Sequence, residues 1–380
     1  MKNRIFSGID RIQTVDHLLD KGRVGLMTAP CGVSRNLKST VDIIRQRYRL
    51  SALYACEHGI RGDAQAGVKV DTRIDAETGV PVFSVYGQTQ RMTQEMFDAF
   101  DVFVFDMQCV GVRFWTFLYS LAYAMEACAA AGKPVVVLDR INPTGAHRVS
   151  GTVLDPAFAS FVGDYELATQ HGLTIGEFAL YVKDYLKLDL DLTVVQMEGY
   201  TRSLYLDDTD LPWVAPSPNC ATLHAALCYI GTVIFEGTNI SEGRGTTLPF
   251  EYIGAPFLDG KALEETMAAH KLPGLHFRRA SFVPTFSKHQ GQVCHGVQMH
   301  ITNREEAQPV LGALMLLDAI RAQAGEQFEF LCHGQGDYFT DKLLGTDAYR
   351  LGLSGPELLA QHQPRLDAYR QRAQAFHLYK

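Results

Sequence analysis

The chain has 380 residues, of which 47% are hydrophobic and 20% are charged, and its formal net charge at pH 7 is −7. This composition is typical of a globular protein, and the acidic excess argues against nucleic acid or a membrane surface as partner, because both attract clustered Lys and Arg. A chain of this length usually forms more than one core, so we expect two domains that act on a small molecule.

The N-terminus and the cysteines bear on the cellular compartment. Residues 1–10 begin with positive charge, but polar residues interrupt them before the apolar core of a secretion signal forms. No apolar run is long enough to span a bilayer. The 8 cysteines show no C-x-x-C pair and no Cys/His spacing typical of zinc. We therefore expect reduced thiols and a cytoplasmic location, with export left open if the natural chain is longer.

The first two-thirds of the chain alternates strand-like and helix-like segments. The predicted strands are continuous apolar runs, as expected when helices cover both faces of a parallel sheet. They are 24–29, 53–57, 82–87, 102–106, 135–139, 193–198 and 232–236. The predicted helices are 40–48, a short one from Thr93, 114–131, one with a capping box at Thr174 to Glu177, and one from about Ala221. The pattern favours an α/β fold with a doubly wound parallel sheet, and a TIM barrel is the alternative.

The pattern changes beyond Pro256. Segments 275–279 and 293–301 are typical of strands with one solvated face, and helical spacing of apolar residues occurs in 307–317 and 366–376. We predict a smaller α+β domain over 257–380, following a first domain over 1–256.

Five of the predicted strands end in an acidic residue. Open parallel sheets bind ligands beyond the carboxyl ends of their strands, so these carboxylates are expected at a binding site. We call this set the acidic rim, and its members are Glu57, Asp106, Asp139, Glu198 and Glu236.

Glu57 has the most polar surroundings of the acidic rim. Segment 57–63 places four ionisable side chains and two glycines in one turn. A carboxyl group at a strand end beside apolar residues suits general acid catalysis. The alternative is a structural carboxylate that accepts backbone N–H groups while Arg61 pairs with Asp63.

A second dense segment is 236–247, which contains Glu236, Glu242 and Arg244. Its glycines allow close approach of a ligand, and a guanidinium group binds a carboxylate or phosphate through two hydrogen bonds. The alternative is an ordered loop in which Glu242 pairs with Arg244. The sequence has no phosphate-binding loop, no G-x-S-x-G elbow and no metal-binding His pattern, so we predict neither a cofactor nor a metal.

Five motifs together resemble the exo-β-N-acetylmuramidase family, which was long known only as a domain of unknown function. The motifs are Glu57-His58-Gly59-x-Arg61-Gly62, Asp106-x-Gln108-x-x-Gly111-x-Arg113, Asp139-Arg140-x-Asn142-Pro143, Pro216-Ser217-Pro218-Asn219 and Glu236-Gly237-Thr238-Asn239-x-Ser241-x-Gly243-Arg244-Gly245-Thr246. The resemblance covers nearly the whole chain. It implies a Rossmann-like domain joined to a smaller domain across a cleft. The implied activity is removal of N-acetylmuramic acid from the non-reducing end of peptidoglycan fragments.

The resemblance also matches Glu57 to the family's proposed catalytic glutamate. We hypothesise that Glu57 is the general acid and that Glu236 or Glu242 is the second carboxyl group that glycosidases generally need. A bidentate Arg would recognise the lactyl carboxylate of muramic acid, and the candidates are Arg113, Arg140 and Arg244. The other predicted substrate contacts are polar residues of the same motifs, namely His58, Arg61, Asp106, Gln108, Asp139, Asn142, Asn219 and Asn239.

Two other functions stay open at this stage. One is a non-catalytic binding module for wall sugars or phosphorylated metabolites on the same cleft. The other is a nucleotide-dependent transferase, although the phosphate-loop signature is missing. The sequence makes no prediction of the oligomeric state.

Overall fold

The computed structural model describes residues 2–57, 59–62, 73–85 and 91–380. Its strands are β1 Arg23–Thr28, β2 Arg49–Ala55, β3 Arg73–Ile74, β4 Pro81–Ser84, β5 Val102–Asp106, β6 Val135–Leu138, β7 Ser150–Val153, β8 Ala168–Gln170, β9 Leu192–Val195, β10 Tyr252–Ala255, β11 Leu275–Phe282 and β12 Cys294–Ile301.

The α helices of these residues are α1 Asp16–Leu19, α2 Thr40–Arg47, α3 Gln94–Asp98, α4 Phe117–Ala130, α5 Ile175–Tyr185, α6 Leu223–Thr232, α7 Gly260–Ala269, α8 Pro309–Ala324, α9 Phe339–Leu344 and α10 Gly355–Gln374. Short 3₁₀ helices are Gly8–Val15, Pro156–Phe158, Leu206–Asp208, Val233–Gly237 and Gly325–Gln327. None of the described helices is long and apolar enough to cross a bilayer.

The main sheet has seven strands in the order β3-β4-β2-β1-β5-β6-β9. Its strands pair in parallel except β3, which is antiparallel to β4. Alternate residues of β5 contact different helices, because Phe103 packs in the cluster that contains Leu121 of α4 and Val104 in the cluster that contains Ile44 of α2. The prediction of a doubly wound α/β fold is confirmed, and the open order excludes the TIM barrel.

A smaller three-stranded antiparallel sheet, in the order β10-β12-β11, forms the C-terminal part with α7 and α8. The burial of β11 largely alternates, as the predicted solvated face requires. This sheet begins at Tyr252, and the apolar cluster around Phe103 extends to Leu314 of α8. The proposed division between residues 256 and 257 stays a prediction.

The predicted strand 232–236 is wrong. Helix α6 continues to Thr232 and is followed by the 3₁₀ helix Val233–Gly237. The apolar run there is buried on nearly all sides, and a short run of this kind has the same appearance in a buried helix and in a buried strand. Glu236 therefore reaches its position from a helical turn. The last residues of the predicted strand 82–87 lie outside the described residues.

The C-terminal residues bind back onto the carboxyl edge of the main sheet. The Tyr379 hydroxyl donates to Asp139 Oδ2 at 2.5 Å and accepts from the Met197 backbone N–H at 2.9 Å. The Leu378 backbone N–H donates to Glu177 Oε1 at 2.9 Å. Asp139 has no solvent exposure, so an ionised Asp139 depends on buried donors such as the Tyr379 hydroxyl.

We expect Tyr379→Phe to lower the free energy of unfolding by about 1 to 3 kcal/mol, because it leaves Asp139 and the Met197 N–H each short of a buried partner. Urea titration measures the change. Tyr200→Phe is the control: its ring packs 5.0 Å from the Tyr379 ring, and its hydroxyl has no hydrogen-bond partner among the described residues. An equal loss in both variants would show that the hydrogen bonds of the Tyr379 hydroxyl are not its cause.

Candidate active site

One cavity of about 540 Å³ combines three carboxylates, two cations and an aromatic wall. It lies between the segments that follow β2 and β5 and the C-terminal part of the chain. Its lining residues are Glu57, Phe114, Trp115, Thr116, Phe117, Phe161, Val162, Ser217, Asn219, Cys220, Tyr229, Glu236, Glu242, Arg244, Phe250, Phe286, Ser287, Lys288, Leu331, His333, Phe339 and Leu343.

Glu57 enters the cavity two residues after β2. The backbone turns there at Gly59 and Gly62, whose φ angles of 72° and 73° are rarely adopted by other residues. The Thr116 hydroxyl, at the start of α4, donates to Glu57 Oε2 at 2.6 Å. This bond fixes the Glu57 carboxyl group against the segment that follows β5.

Glu236 and Glu242 share one guanidinium group. Arg244 Nη2 lies 2.6 Å from Glu236 Oε1, and Arg244 Nε lies 3.2 Å from Glu242 Oε1. Lys288 Nζ lies 2.7 Å from the other oxygen of Glu242. Burial raises the pKa of Glu236 above its usual value, and the Glu242 carboxylate adds to this, while Arg244 and Lys288 oppose it. The Glu236 side chain is 19% exposed, whereas the Glu242 side chain is only 2% exposed. The cluster therefore has one carboxyl group that is partly open to the cavity beside one that is almost fully buried.

The loop after Glu242 is shaped so that a distant segment lies directly on it. Gly245 has a φ of 81°, and a Cβ atom there would lie 2.5 Å from the Phe286 carbonyl oxygen. The Thr285 backbone N–H donates to the Gly245 carbonyl at 2.9 Å. Any other residue at this position would displace the segment that carries Lys288.

The aromatic wall is built from edge-to-face rings. Tyr229 packs against Trp115 with ring centroids 5.9 Å apart and against Phe250 at 4.6 Å. The Arg244 guanidinium carbon lies 5.0 Å from the Phe250 centroid. Phe286, at the edge of the cavity, is 41% exposed. Rings beside carboxylates suit a sugar, which has apolar ring faces and hydroxyl edges.

The structure brings together five of the predicted site residues in this cavity, namely Glu57, Glu236, Glu242, Asn219 and Arg244. His58 lies outside the described residues. The remaining predicted contacts do not line the cavity, because other groups hold their side chains elsewhere. None of these placements tests a catalytic role directly, so the roles stay predictions.

Arg140 and Asp106 form a buried ion pair where the strand order reverses, between β1 and β5. Arg140 Nε lies 2.5 Å from Asp106 Oδ1, and the Thr40 hydroxyl also donates to Asp106. Gln108 beside them donates to the backbone carbonyls of Cys109 and Ile141. Nucleotides bind at this point in many doubly wound folds, but the space left here is only about 20 Å³.

Asp139 and Asn142 are hydrogen-bonded to neighbouring loops. Asp139 accepts hydrogen bonds from the Thr174 hydroxyl at 2.9 Å and the Gly176 backbone N–H at 2.7 Å, and burial raises the pKa of Asp139 to about 7. Asn142 donates to the Leu173 carbonyl at 3.2 Å.

Two predicted contacts lie on other surfaces. Arg61 Nη2 pairs with Asp75 at 3.0 Å and with Glu77 at 2.9 Å. The Asn239 side chain joins the backbones of Gln327 and Glu329. Glu198 of the acidic rim is 64% exposed and lies 3.5 Å from Arg11. These positions explain why strand-end placement alone did not rank the acidic residues.

Arg113 is fully buried behind the cavity wall. Its guanidinium donates to the carbonyls of Thr152 and Leu167 at 2.9 Å and to the carbonyl of Leu343 at 2.7 Å. Burial lowers the pKa of Arg113 to about 10, so it stays protonated near pH 7. Since Leu343 lines the cavity, Arg113 supports the wall from behind.

Sequence reasoning missed several polar lining residues, among them Thr116, Tyr229, Lys288 and His333. The sequence did contain a signal for Thr116, because it lies three residues after Arg113 in the segment that follows β5, a strand that ends in the acidic rim residue Asp106. The other three are more than 170 positions from Glu57, and only tertiary packing brings them to it.

Comparison with known proteins gives two family matches that together cover most of the chain. Residues 24–224 match the model described as exo-beta-N-acetylmuramidase NamZ, N-terminal, and residues 227–379 match its C-terminal counterpart. The peptidoglycan beta-N-acetylmuramidase NamZ of Bacillus subtilis (strain 168) is 45% identical, with 100% of this chain and 92% of that protein covered.

Solved structures of two DUF1343 family proteins from Bacteroides fragilis NCTC 9343 have a similar fold. The first has a TM-score of 0.91 at 30% identity and covers 100% of both chains. The second has a TM-score of 0.77 at 27% identity and covers 99% of both chains.

The position of Arg113 predicts that Arg113→Met is destabilised by about 3 kcal/mol or more, because three buried carbonyls each lose a charged donor. Thermal or urea unfolding measures this. Arg47→Met, which removes an exposed ion pair with Asp16, should change stability little. A stable Arg113→Met protein with weakened substrate binding would instead support direct contact between Arg113 and the ligand.

Proposed function

The chain belongs to the exo-beta-N-acetylmuramidase NamZ family, and we propose that it removes N-acetylmuramic acid from the non-reducing end of peptidoglycan fragments. It is an exo-acting glycosidase, and its substrates are fragments of peptidoglycan. The observation that carries the proposed chemistry is the meeting of Glu57, Glu236 and Glu242 in one cavity with an aromatic wall.

Glycoside hydrolysis needs one carboxylic acid to protonate the departing oxygen and a second carboxylate to act as base or nucleophile. We assign the first role to Glu57, whose carboxyl group is oriented by the Thr116 hydroxyl at 2.6 Å. Glu57 comes from the main sheet, whereas Glu236 and Glu242 come from the segment after α6. Carboxyl groups on two different segments can flank a glycosidic bond placed between them.

Glu236 is our choice for the second catalytic carboxylate. Its side chain is 19% exposed, against 2% for Glu242, so it is the more accessible of the two to a sugar or a water molecule. Arg244 favours its ionised form through the contact at 2.6 Å, against the effect of burial. Glu242 then serves to hold Arg244 and Lys288 in place.

Arg244 is our candidate for recognising the lactyl carboxylate. Of the three arginines considered, it alone lines the cavity among the described residues, since Arg113 is bound to carbonyls and Arg140 to Asp106. The contacts with Glu236 and Glu242 use Nη2 and Nε. The Nη1 atom of Arg244 carries two further N–H donors, which can donate to a substrate carboxylate.

Replacing Glu57 by Gln should reduce turnover of a chromogenic N-acetylmuramic acid glycoside by about 10²- to 10⁴-fold, because the proton donor is lost. Steady-state kinetics, with circular dichroism and substrate-binding calorimetry on the same sample, should show a folded protein that still binds. Glu198→Gln is the control, since Glu198 also belongs to the acidic rim but pairs with Arg11 away from the cavity.

Near-wild-type turnover of Glu57→Gln would refute the role of Glu57. A wild-type protein that binds the glycoside without turnover, where a verified relative hydrolyses it, would favour a binding module.

Arg244→Met should lower kcat/KM for the muramic acid glycoside more than for the matching N-acetylglucosamine glycoside, which lacks the lactyl group. The ratio of the two values should fall about 10-fold or more, because a charge-assisted hydrogen bond contributes about 1.5 to 3 kcal/mol. Arg321→Met is the control, because Arg321 also lies over aromatic rings but does not line the cavity. An unchanged ratio in Arg244→Met would mean that another group contacts the lactyl carboxylate.

A further inference from the structure

We propose that Lys288 is a positioning residue that holds Glu236 and Glu242 in their reactive arrangement and supplies part of the positive charge that keeps the pair ionised. The inference rests on the proposed function, since it concerns the second catalytic carboxylate. Nothing in the motifs around Glu57 or Glu236 identifies this lysine, which lies 46 positions beyond Glu242.

Three oxygen atoms surround the Lys288 ammonium group. Its Nζ donates to the Phe235 carbonyl at 2.6 Å and to the Ile240 carbonyl at 2.8 Å, and it lies 2.7 Å from Glu242 Oε2. Two of the three N–H donors of the ammonium group serve these carbonyls, and the contact with Glu242 is an ion pair. Phe235 directly precedes Glu236, and the lysine therefore fixes the backbone from which Glu236 projects as well as the Glu242 side chain.

The backbone around Lys288 is unusual on both sides. Ser287 has a φ of 70° and His289 a φ of 56°, in the left-handed region that residues other than glycine rarely adopt. Each such residue costs on the order of 1 kcal/mol or more, and such conformations cluster at functional sites. The fold thus holds a costly turn whose middle side chain enters the cavity.

The loop that bears Glu242 is hydrogen-bonded to both ends of this turn. The Thr285 hydroxyl and backbone N–H both donate to the Gly245 carbonyl at 2.9 Å, and His289 Nε2 lies 2.7 Å from the Asn239 carbonyl oxygen. The turn and the loop that bears Glu242 are therefore one unit, and a shift of either would move Lys288 relative to the carboxylates.

The charges around the pair explain why a second cation matters. Arg244 contacts both carboxylates, and among the described residues the other titratable groups that line the cavity are Glu57, Cys220, Tyr229 and His333. Without Lys288, Glu236 and Glu242 would share one cation in a mostly buried site, and two close carboxylates cannot both ionise easily. Removing Lys288 should therefore raise the pKa of Glu236 further, because Lys288 is one of the two cations that oppose the effect of burial.

The sign of the pH effect follows from the assigned roles. Activity needs the second carboxylate in its ionised form, so activity rises with pH as this group loses its proton. If removal of Lys288 raises its pKa, this rise must move to higher pH. A lysine that only stabilised the loop would lower the amount of active protein without moving the pH profile.

The experiment compares the pH dependence of kcat/KM for a chromogenic muramic acid glycoside in wild type, Lys288→Met, Lys288→Gln and Lys288→Arg. We expect the acid-side rise to move up by about one pH unit in the Met and Gln variants, because a cation within ~4–6 Å shifts a carboxyl pKa by about this much. The kcat should fall about 10-fold or more, with a smaller change in KM. Lys288→Arg keeps the charge, so its acid-side rise should stay at the wild-type pH.

Lys261→Met is the matched control, because it removes a lysine that is 67% exposed and lies 3.7 Å from a glutamate outside the cavity. An unmoved acid-side rise in both neutral variants would overturn the inference, whatever their kcat. Unfolding of both neutral variants would also overturn it, since Lys288 would then be a requirement for folding. A wild-type protein without turnover would overturn the proposed function, and the role of Lys288 with it, before any variant is compared.

Discussion

A carboxylate taken out of water must be paired or hydrogen-bonded. Two groups of buried acidic residues in this protein meet this requirement in different ways. Asp106 and Asp139 have no solvent exposure, and Arg140 and a ring of donors compensate them inside the sheet edge. Glu236 and Glu242 are compensated by Arg244 at the wall of a cavity. The first group is enclosed by the fold, and in the second group Glu236 stays within reach of a ligand while Glu242 is almost fully buried.

The same requirement explains where the cavity lies. In a doubly wound sheet the expected binding crevice is at the switch point, here between β1 and β5. The Arg140 side chain occupies that crevice through its contacts with Asp106, while the open space lies to the side, between Glu57 and the C-terminal part of the chain. The C-terminal part thus completes the site, because it contributes Lys288, His333 and the aromatic Phe286.

Local sequence signals predicted the sheet, most helices and the position of Glu57 at a binding cavity, because apolar runs and turn glycines report directly on nearby backbone structure. They failed at Glu236, where a buried helix has the same composition as a buried strand. Strand-end placement alone did not rank Asp106 against Glu57, since each ends or follows an apolar strand and the Arg140 side chain that pairs with Asp106 is 34 positions away. Local sequence signals could not identify Lys288 either, because its partners Phe235, Ile240 and Glu242 are distant in sequence.

In the proposed mechanism a muramic acid glycoside lies between Glu57 and Glu236 with its lactyl group at Arg244. A crystal structure of the Glu57→Gln protein with an intact disaccharide that has N-acetylmuramic acid at its non-reducing end tests this most directly. The account predicts the glycosidic oxygen within hydrogen-bond distance of the residue 57 side chain, the anomeric carbon facing Glu236, and the lactyl carboxylate on Arg244. A disaccharide bound outside this cavity, or with its glycosidic oxygen away from residue 57, would contradict it.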